Sequence, residues 1–200
     1  MKTLVLDSAF TPVAIVLSDN KKLGEVVSKN EKNSETFMQD IDNCLSMAKL
    51  TIDDIDEIAI NLGPGSFTGL RVGVSIAKGL GFASDMKYTA FTSFDYVSAN
   101  KTILVPGFSS FVYIKFLDGS MNCVDIASLD KKLKYVTMCD AIYNTLKSSG
   151  YDIEFQEKLP YEKIILKTQN KFLKINQLEP LYLRKSQAEL MREAGVKGKK

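Results

Sequence analysis

The sequence predicts an α/β protein: a first domain over residues 1–100 on a mixed sheet in the order βββαβαβα, then a smaller, divergent α/β domain over residues 101–200 ending in a helix able to pack back on the first. Three observations carry this. Lys2–Asp7, Pro12–Leu17 and Leu23–Ser28 are short apolar runs separated by turn residues, the pattern of three antiparallel strands. From residue 34 to residue 100, apolar runs then alternate with stretches of helical period, the crossovers that parallel strands require. Finally, 200 residues with 45% hydrophobic and 25% charged side chains are enough for a buried core and ordinary for a soluble globular chain.

In order, Asp7-Ser-Ala-Phe-Thr11 joins the first two strands, and Ser18-Asp-Asn-Lys-Lys22 turns into the third. Ser34 is an N-cap candidate for a helix to Ala48, with Phe37, Ile41, Leu45 and Ala48 along one face. Glu57–Leu62 reads as a strand, followed by a helix from Phe67 to Phe82, a short strand at Met86–Ala90 and a further helix starting at Thr92 or Ser93. In the second half, Thr102–Val105, Phe111–Asp118, Asn122–Ile126, Tyr135–Met138 and Asp152–Gln156 are strand candidates. Ala141–Ser148 and Tyr161–Thr168 read as helices, Leu178–Arg184 as extended, and Ser186–Ala194 as a terminal helix. The sequence contains no evident internal repeat or low-complexity tract.

The stretch from Ile58 to Gly81 is the most informative. A strand, a Gly63-Pro64-Gly65 turn and a helix can present backbone N–H groups to an anion, but the glycine spacing fits neither dinucleotide nor P-loop fingerprint. Gly69, Gly73 and Ala77 recur every four residues and form a bare helix face. Glycine inside a helix costs about 0.8–1.0 kcal/mol relative to alanine, so a close neighbour should compensate. Internal packing and a partner's backbone are both open as that neighbour.

Composition excludes several chemistries. There is no histidine, hence neither the usual general base near neutral pH nor the commonest transition-metal ligand. Cys44, Cys123 and Cys139 are odd in number, lack metal-site spacing and read as small apolar fillers. No apolar run reaches membrane-spanning length, and a cytoplasmic location is expected. Residues 1–100 carry 9 Lys+Arg against 13 Asp+Glu, and residues 101–200 carry 17 against 11. The basic excess, from Arg184, Lys185, Arg192, Lys197, Lys199 and Lys200 among others, suits either a solvated tail or an acidic partner such as RNA.

Asp7 and Ser8, where the first strand enters its turn, stand where a carboxylate can meet a metal–phosphate group, or where it simply organises the turn. Ala9 takes the place of a glycine that would let phosphate approach the backbone. Arg71 is either a solvated helix residue or a partner for an anion. Ser66 and Thr68 suit helix capping better than nucleophilic attack, there being no histidine to act as base.

The segment Asn61-Leu-Gly-Pro-Gly-Ser-Phe-Thr-Gly-Leu-Arg-Val-Gly-Val-Ser-Ile-Ala-Lys-Gly-Leu80 resembles the signature of the TsaB (YeaZ) family, as do Leu4-Val-Leu-Asp-Ser8, Ser34-Glu35, Ser93-Phe94 and Glu179–Leu190. The resemblance implies an actin/Hsp70-like (ASKHA) ATPase fold with a ribonuclease H-like first domain. It implies a non-catalytic scaffold that binds TsaD in forming N6-threonylcarbamoyladenosine at position 37 of tRNAs reading codons that begin with A. TsaE would complete the complex, and the chain alone would form a homodimer. No cofactor of its own and no membrane contact are implied, with ATP or ADP at the partner interface and tRNA reached through the complex. The expected interface is Phe37, Ile41, Gly69, Leu70, Arg71, Gly73, Val74 and Ala77, with Asp7 and Ser8 as nucleotide contacts. The chain departs from the family's common pattern at Asn33 and at Gly107-Phe-Ser-Ser110. Alternatives are an ATP-dependent phosphotransferase or peptidase-like enzyme of the same fold, and an RNA-binding module using the basic half.

Overall fold

The computed structural model describes residues 1–28, 36–82, 86–168 and 171–184. The expected helix start at Ser34–Glu35, the variant Asn33 and the terminal basic helix lie outside these residues.

Lys2–Asp7 (β1), Val13–Ser18 (β2) and Lys21–Val27 (β3) form the antiparallel opening; Phe37–Met47 (α1) leads to Glu57–Asn61 (β4), and Phe67–Phe82 (α2) to Lys87–Phe91 (β5). The sheet order is β3-β2-β1-β4-β5, with β1, β4 and β5 parallel. Alternation decides what each face carries. Leu4, Leu6, Ala14, Val16, Ile58 and Ile60 pack under α1 and α2, while Val5, Val13, Ile15, Leu17 and Ala59 face the other way. The helix expected after β5 is a single 3₁₀ turn, Ser93–Tyr96, at whose start the Thr92 N–H and hydroxyl both donate to Asp95 Oδ2 (2.7 and 2.8 Å).

Thr102–Pro106 (β6), Phe111–Lys115 (β7), Met121–Asp125 (β8), Lys134–Thr137 (β9) and Asp152–Phe155 (β10) form a second sheet in the order β10-β9-β6-β7-β8. Asp140–Ser148 (α3) joins β9 to β10 as α2 joins β4 to β5. The second sheet therefore repeats the first in topology, antiparallel hairpins on one side of the leading strand and parallel partners on the other. The sequence shows no repeat because only the apolar alternation is shared. In place of a counterpart to α1 there is only the single turn Ile126–Ser128, which is the reduction of this half.

Tyr161–Thr168 (α4) returns to the first sheet and buries Tyr161, Ile164 and Ile165 against its second face. The chain then passes the β5 edge, where Leu173 N donates to the Tyr88 carbonyl (2.8 Å). It next buries Leu178 in the α1/α2 core and closes with Leu181 N donating to the Leu62 carbonyl (2.7 Å). The expected extended stretch 178–184 has no ladder partner and is held by such single contacts. No helix among the described residues is long and apolar enough to cross a membrane.

Candidate functional site

The β1–β2 turn is the point where the two candidate features meet. On one side lies α2. Gly63, at φ +104°, takes a conformation that favours glycine, and its N–H bonds to Asn61 Oδ1 (2.8 Å). Ser66 N then donates to the Ala9 carbonyl (2.7 Å), and Ser66 Oγ accepts from Gly69 N (3.2 Å), so Ser66 caps the helix as expected. This aims the bare face of α2 at the turn. A Cβ on Gly69 would collide with the Ser8 carbonyl oxygen, and one on Gly73 with the Ser8 hydroxyl.

The neighbour demanded by the glycine stripe is therefore this chain's own β1–β2 turn. Leu70, Gly73, Val74 and Ala77 are buried, as are Phe37 and Ile41 of α1, and Gly69 is half-buried. Of the residues expected at a partner interface, all but Arg71 and Gly69 are thus buried within the chain, on the inner faces of the two helices packed on the first sheet. Arg71 alone of that set is exposed, its guanidinium 4.4 Å from the Phe67 ring centre and its Nε donating to Tyr182 Oη (3.2 Å). The outward face of α2 holds Thr68, Ser75, Gly79 and Phe82; Phe82 is 85% exposed, and among the described residues nothing beyond the helix's own backbone lies within 4 Å of a Cβ built on Gly79.

On the other side of the turn lies Asp7, 1% exposed. Its Oδ1 accepts from Ala9 N (3.1 Å) and Asn61 Nδ2 (3.1 Å), and its Oδ2 from the hydroxyls of Tyr96 (2.6 Å) and Tyr161 (2.6 Å). Lys158 Nζ stands 3.7 Å from Oδ2 and 2.6 Å from Tyr161 Oη. Burial, then the Asp7 charge, pushes both tyrosines well above the ordinary phenol range, so they remain donors. Burial also lowers the Lys158 ammonium, against the raising effect of Asp7.

The fold implies a nucleotide with its metal at this place, and these residues do not fit one. Each Asp7 oxygen is already committed, Ala9 walls the turn, and buried Ser8 packs on Gly73 with its hydroxyl. Asp7 and Ser8, expected as nucleotide contacts, are both buried here, Asp7 with its oxygens bonded within the chain and Ser8 with its hydroxyl against Gly73. Sequence reasoning missed Tyr96, Lys158 and Tyr161; Asn61 was visible only as part of a motif, and nothing local marks a lysine 151 positions downstream as the partner of Asp7. Among the described residues no cluster of three His, Cys, Asp or Glu is placed to hold a metal. A recess of about 390 Å³ beside the site is lined by Phe10, Phe67, Phe108, Tyr113, Tyr182 and Arg184.

Cys44 is buried in the core, its Sγ donating to the Ala14 carbonyl (3.2 Å), and burial pushes its thiol from 9.0 to about 11. Its folded pKa is raised, so its contribution to stability is complete below pH 9 and lost as pH rises to about 11. Two pKa units correspond to about 3 kcal/mol, and Tyr96 and Tyr161 extend the loss above pH 10. Urea unfolding on either side of this window is expected to show the fall; a flat profile contradicts it.

The family model described as TsaD, tRNA N6-adenosine threonylcarbamoyltransferase, matches residues 25–136. The tRNA threonylcarbamoyladenosine biosynthesis protein TsaB of Bacillus subtilis is 29% identical over 102 residues, 50% of this chain and 44% of that protein. TsaB of Haemophilus influenzae is 31% identical over 86 residues, 42% of this chain and 36% of that protein. A tRNA N6-adenosine threonylcarbamoyltransferase of Clostridium botulinum is 34% identical over 91 residues, 44% of this chain and 27% of that protein. The match thus spans less than half the length of each of these relatives. Among solved structures, YeaZ from Pseudomonas aeruginosa superposes with a TM-score of 0.70 at 15% identity, over 91% of this chain and 99% of that chain. The two mixed sheets are those of YeaZ, in keeping with the actin/Hsp70-like fold the sequence implies.

Proposed function

The chain belongs to the TsaD family of tRNA N6-adenosine threonylcarbamoyltransferases, in its TsaB (YeaZ) branch, and from that premise we propose that it is a subunit without chemistry of its own. It docks and activates a TsaD-type transferase in forming N6-threonylcarbamoyladenosine on tRNA, with TsaE as the further component and a homodimer as its form alone. The observation that supports this reading is the closed state of Asp7. A phosphotransferase of this fold needs that carboxylate open to metal and phosphate, and here four donors from the chain itself take its oxygens. A histidine-free sequence adds to the argument against a metal-dependent transfer or peptidase site. Reconstituted tRNA modification should depend on this chain, and an equal rate without it would reject the proposal.

With the inner faces of α1 and α2 committed to the core, docking falls to their outer faces. On α2 these are small residues, Thr68, Ser75 and Gly79, which let a partner helix approach closely, with Phe82 beyond them. The Cβ of Gly79→Leu enters open space among the described residues, and the change improves helix propensity by a little less than the glycine–alanine difference of about 0.8–1 kcal/mol. It is expected to leave the melting temperature equal or higher while abolishing co-purification with the transferase. Retained co-purification would remove this face from the interface.

A further inference from the structure

The chain passes from the first sheet to the second through residues 97–101 and returns through 156–160. The two passages are fastened to each other. Ser98 N donates to Gln156 Oε1 (3.3 Å), Leu159 N to the Tyr96 carbonyl (2.7 Å), and Lys101 pairs with Glu154. Lys158, between them, has its Nζ 4.0 Å from the Tyr96 ring centre and 4.3 Å from that of Tyr161, besides its contacts with Tyr161 Oη and Asp7. An ammonium is thereby surrounded by a carboxylate, a hydroxyl and two π faces, the groups that favour a cation withdrawn from water. The same side chain forms part of the wall of a cavity of about 520 Å³ with Phe10, Thr11, Cys139 and Asp140, so it stands between Asp7 and the open cleft.

We propose that Lys158 is the resident cation of this cleft: its ammonium holds the place beside Asp7 that a metal-bound polyphosphate would need, and with Tyr96 and Tyr161 it latches the return passage to the end of the outgoing one. Paired connections are where a two-lobed protein hinges, through a few residues that absorb the backbone change. Here those residues are tied to one another and, through Asp7 and Tyr161, to β1 and α4. The place beside Asp7 is filled from within, and the two passages are held together. The inference goes beyond the docking role and does not depend on it.

Hydrogen exchange on the full chain tests the latch. In Lys158→Met, which keeps the length of the side chain and removes its charge, the Ser98 and Leu159 amides are expected to exchange about tenfold faster, the scale of one lost charge-assisted contact. The amides of α3 should be unchanged, and Lys158→Arg should restore most of the protection. Unchanged Ser98 and Leu159 amides, or equal acceleration throughout the chain, would overturn the latch. Magnesium ADP is the probe for the filled cleft: the melting temperature of the native chain should not respond to it, and a saturating rise would overturn the resident-cation assignment. Neither measurement involves the transferase, so the fate of the docking reading is decided separately.

Discussion

Asp7→Ala is expected to lose about 3–5 kcal/mol of stability, because the substitution leaves the two buried tyrosine hydroxyls without an acceptor and takes the carboxylate away from the Asn61 amide and from a partly buried ammonium. A domain of this size has about 5–15 kcal/mol in total, so the variant should sit close to its unfolding midpoint under mild conditions. Asp7→Asn keeps an acceptor for Asn61 and Ala9 but presents an N–H₂ group to the two tyrosines or loses the contact with Asn61. Its loss should be smaller, by about half. Denaturant titration of the two variants measures both quantities. If Asp7→Ala were as stable as the native chain, the carboxylate would not be the structural centre described, and its closure could no longer argue against a catalytic role.

The second large effect separates glycines on a single helix. Gly79→Ala should stabilise by about 0.8–1 kcal/mol, the ordinary helix propensity difference, since its Cβ enters open space. Gly69→Ala should instead destabilise by about 1–3 kcal/mol, because the Cβ meets the backbone carbonyl of Ser8, which cannot swing aside as a side chain can. Gly73→Leu should be worse still, as its whole side chain must displace Ser8 and, with it, the strand end that carries Asp7. A docking test based on Gly73 would therefore report unfolding as loss of binding. If Gly69→Ala and Gly79→Ala shifted the unfolding midpoint in the same direction, the packing of α2 on the turn would be wrong.

Most of the first sheet was legible in the sequence because its cause is local. Strands β1, β2 and β4 are apolar runs cut by turn residues, and the period of α2 shows in Leu70, Val74 and Ala77. The glycine stripe was legible as a surface needing a close neighbour, but not as to which neighbour, since period locates a face and says nothing of what covers it. The Tyr96, Lys158 and Tyr161 contacts with Asp7 were not legible, because they join residues 89, 151 and 154 positions away through the packing of α4. The duplicated topology was hidden for a related reason: β6 to β10 repeat an arrangement of strands, which the backbone can keep while nearly every side chain differs.

The return of the chain to the first sheet bears on how the protein is made. Ile164, Ile165 and Leu178 are wholly or almost wholly buried in cores whose other buried members come mostly from residues 4 to 94. The amino-terminal half thus leaves the ribosome with both faces of its sheet incompletely covered. At roughly 5–20 residues per second, the wait for residues 101–181 lasts on the order of 4–16 seconds. During that interval the apolar strip destined for α4 is open to other nascent chains, and a fragment ending near residue 100 should aggregate rather than fold. Completion comes late and from a distance, so the yield of this protein in a cell should track the speed of translation across its second half.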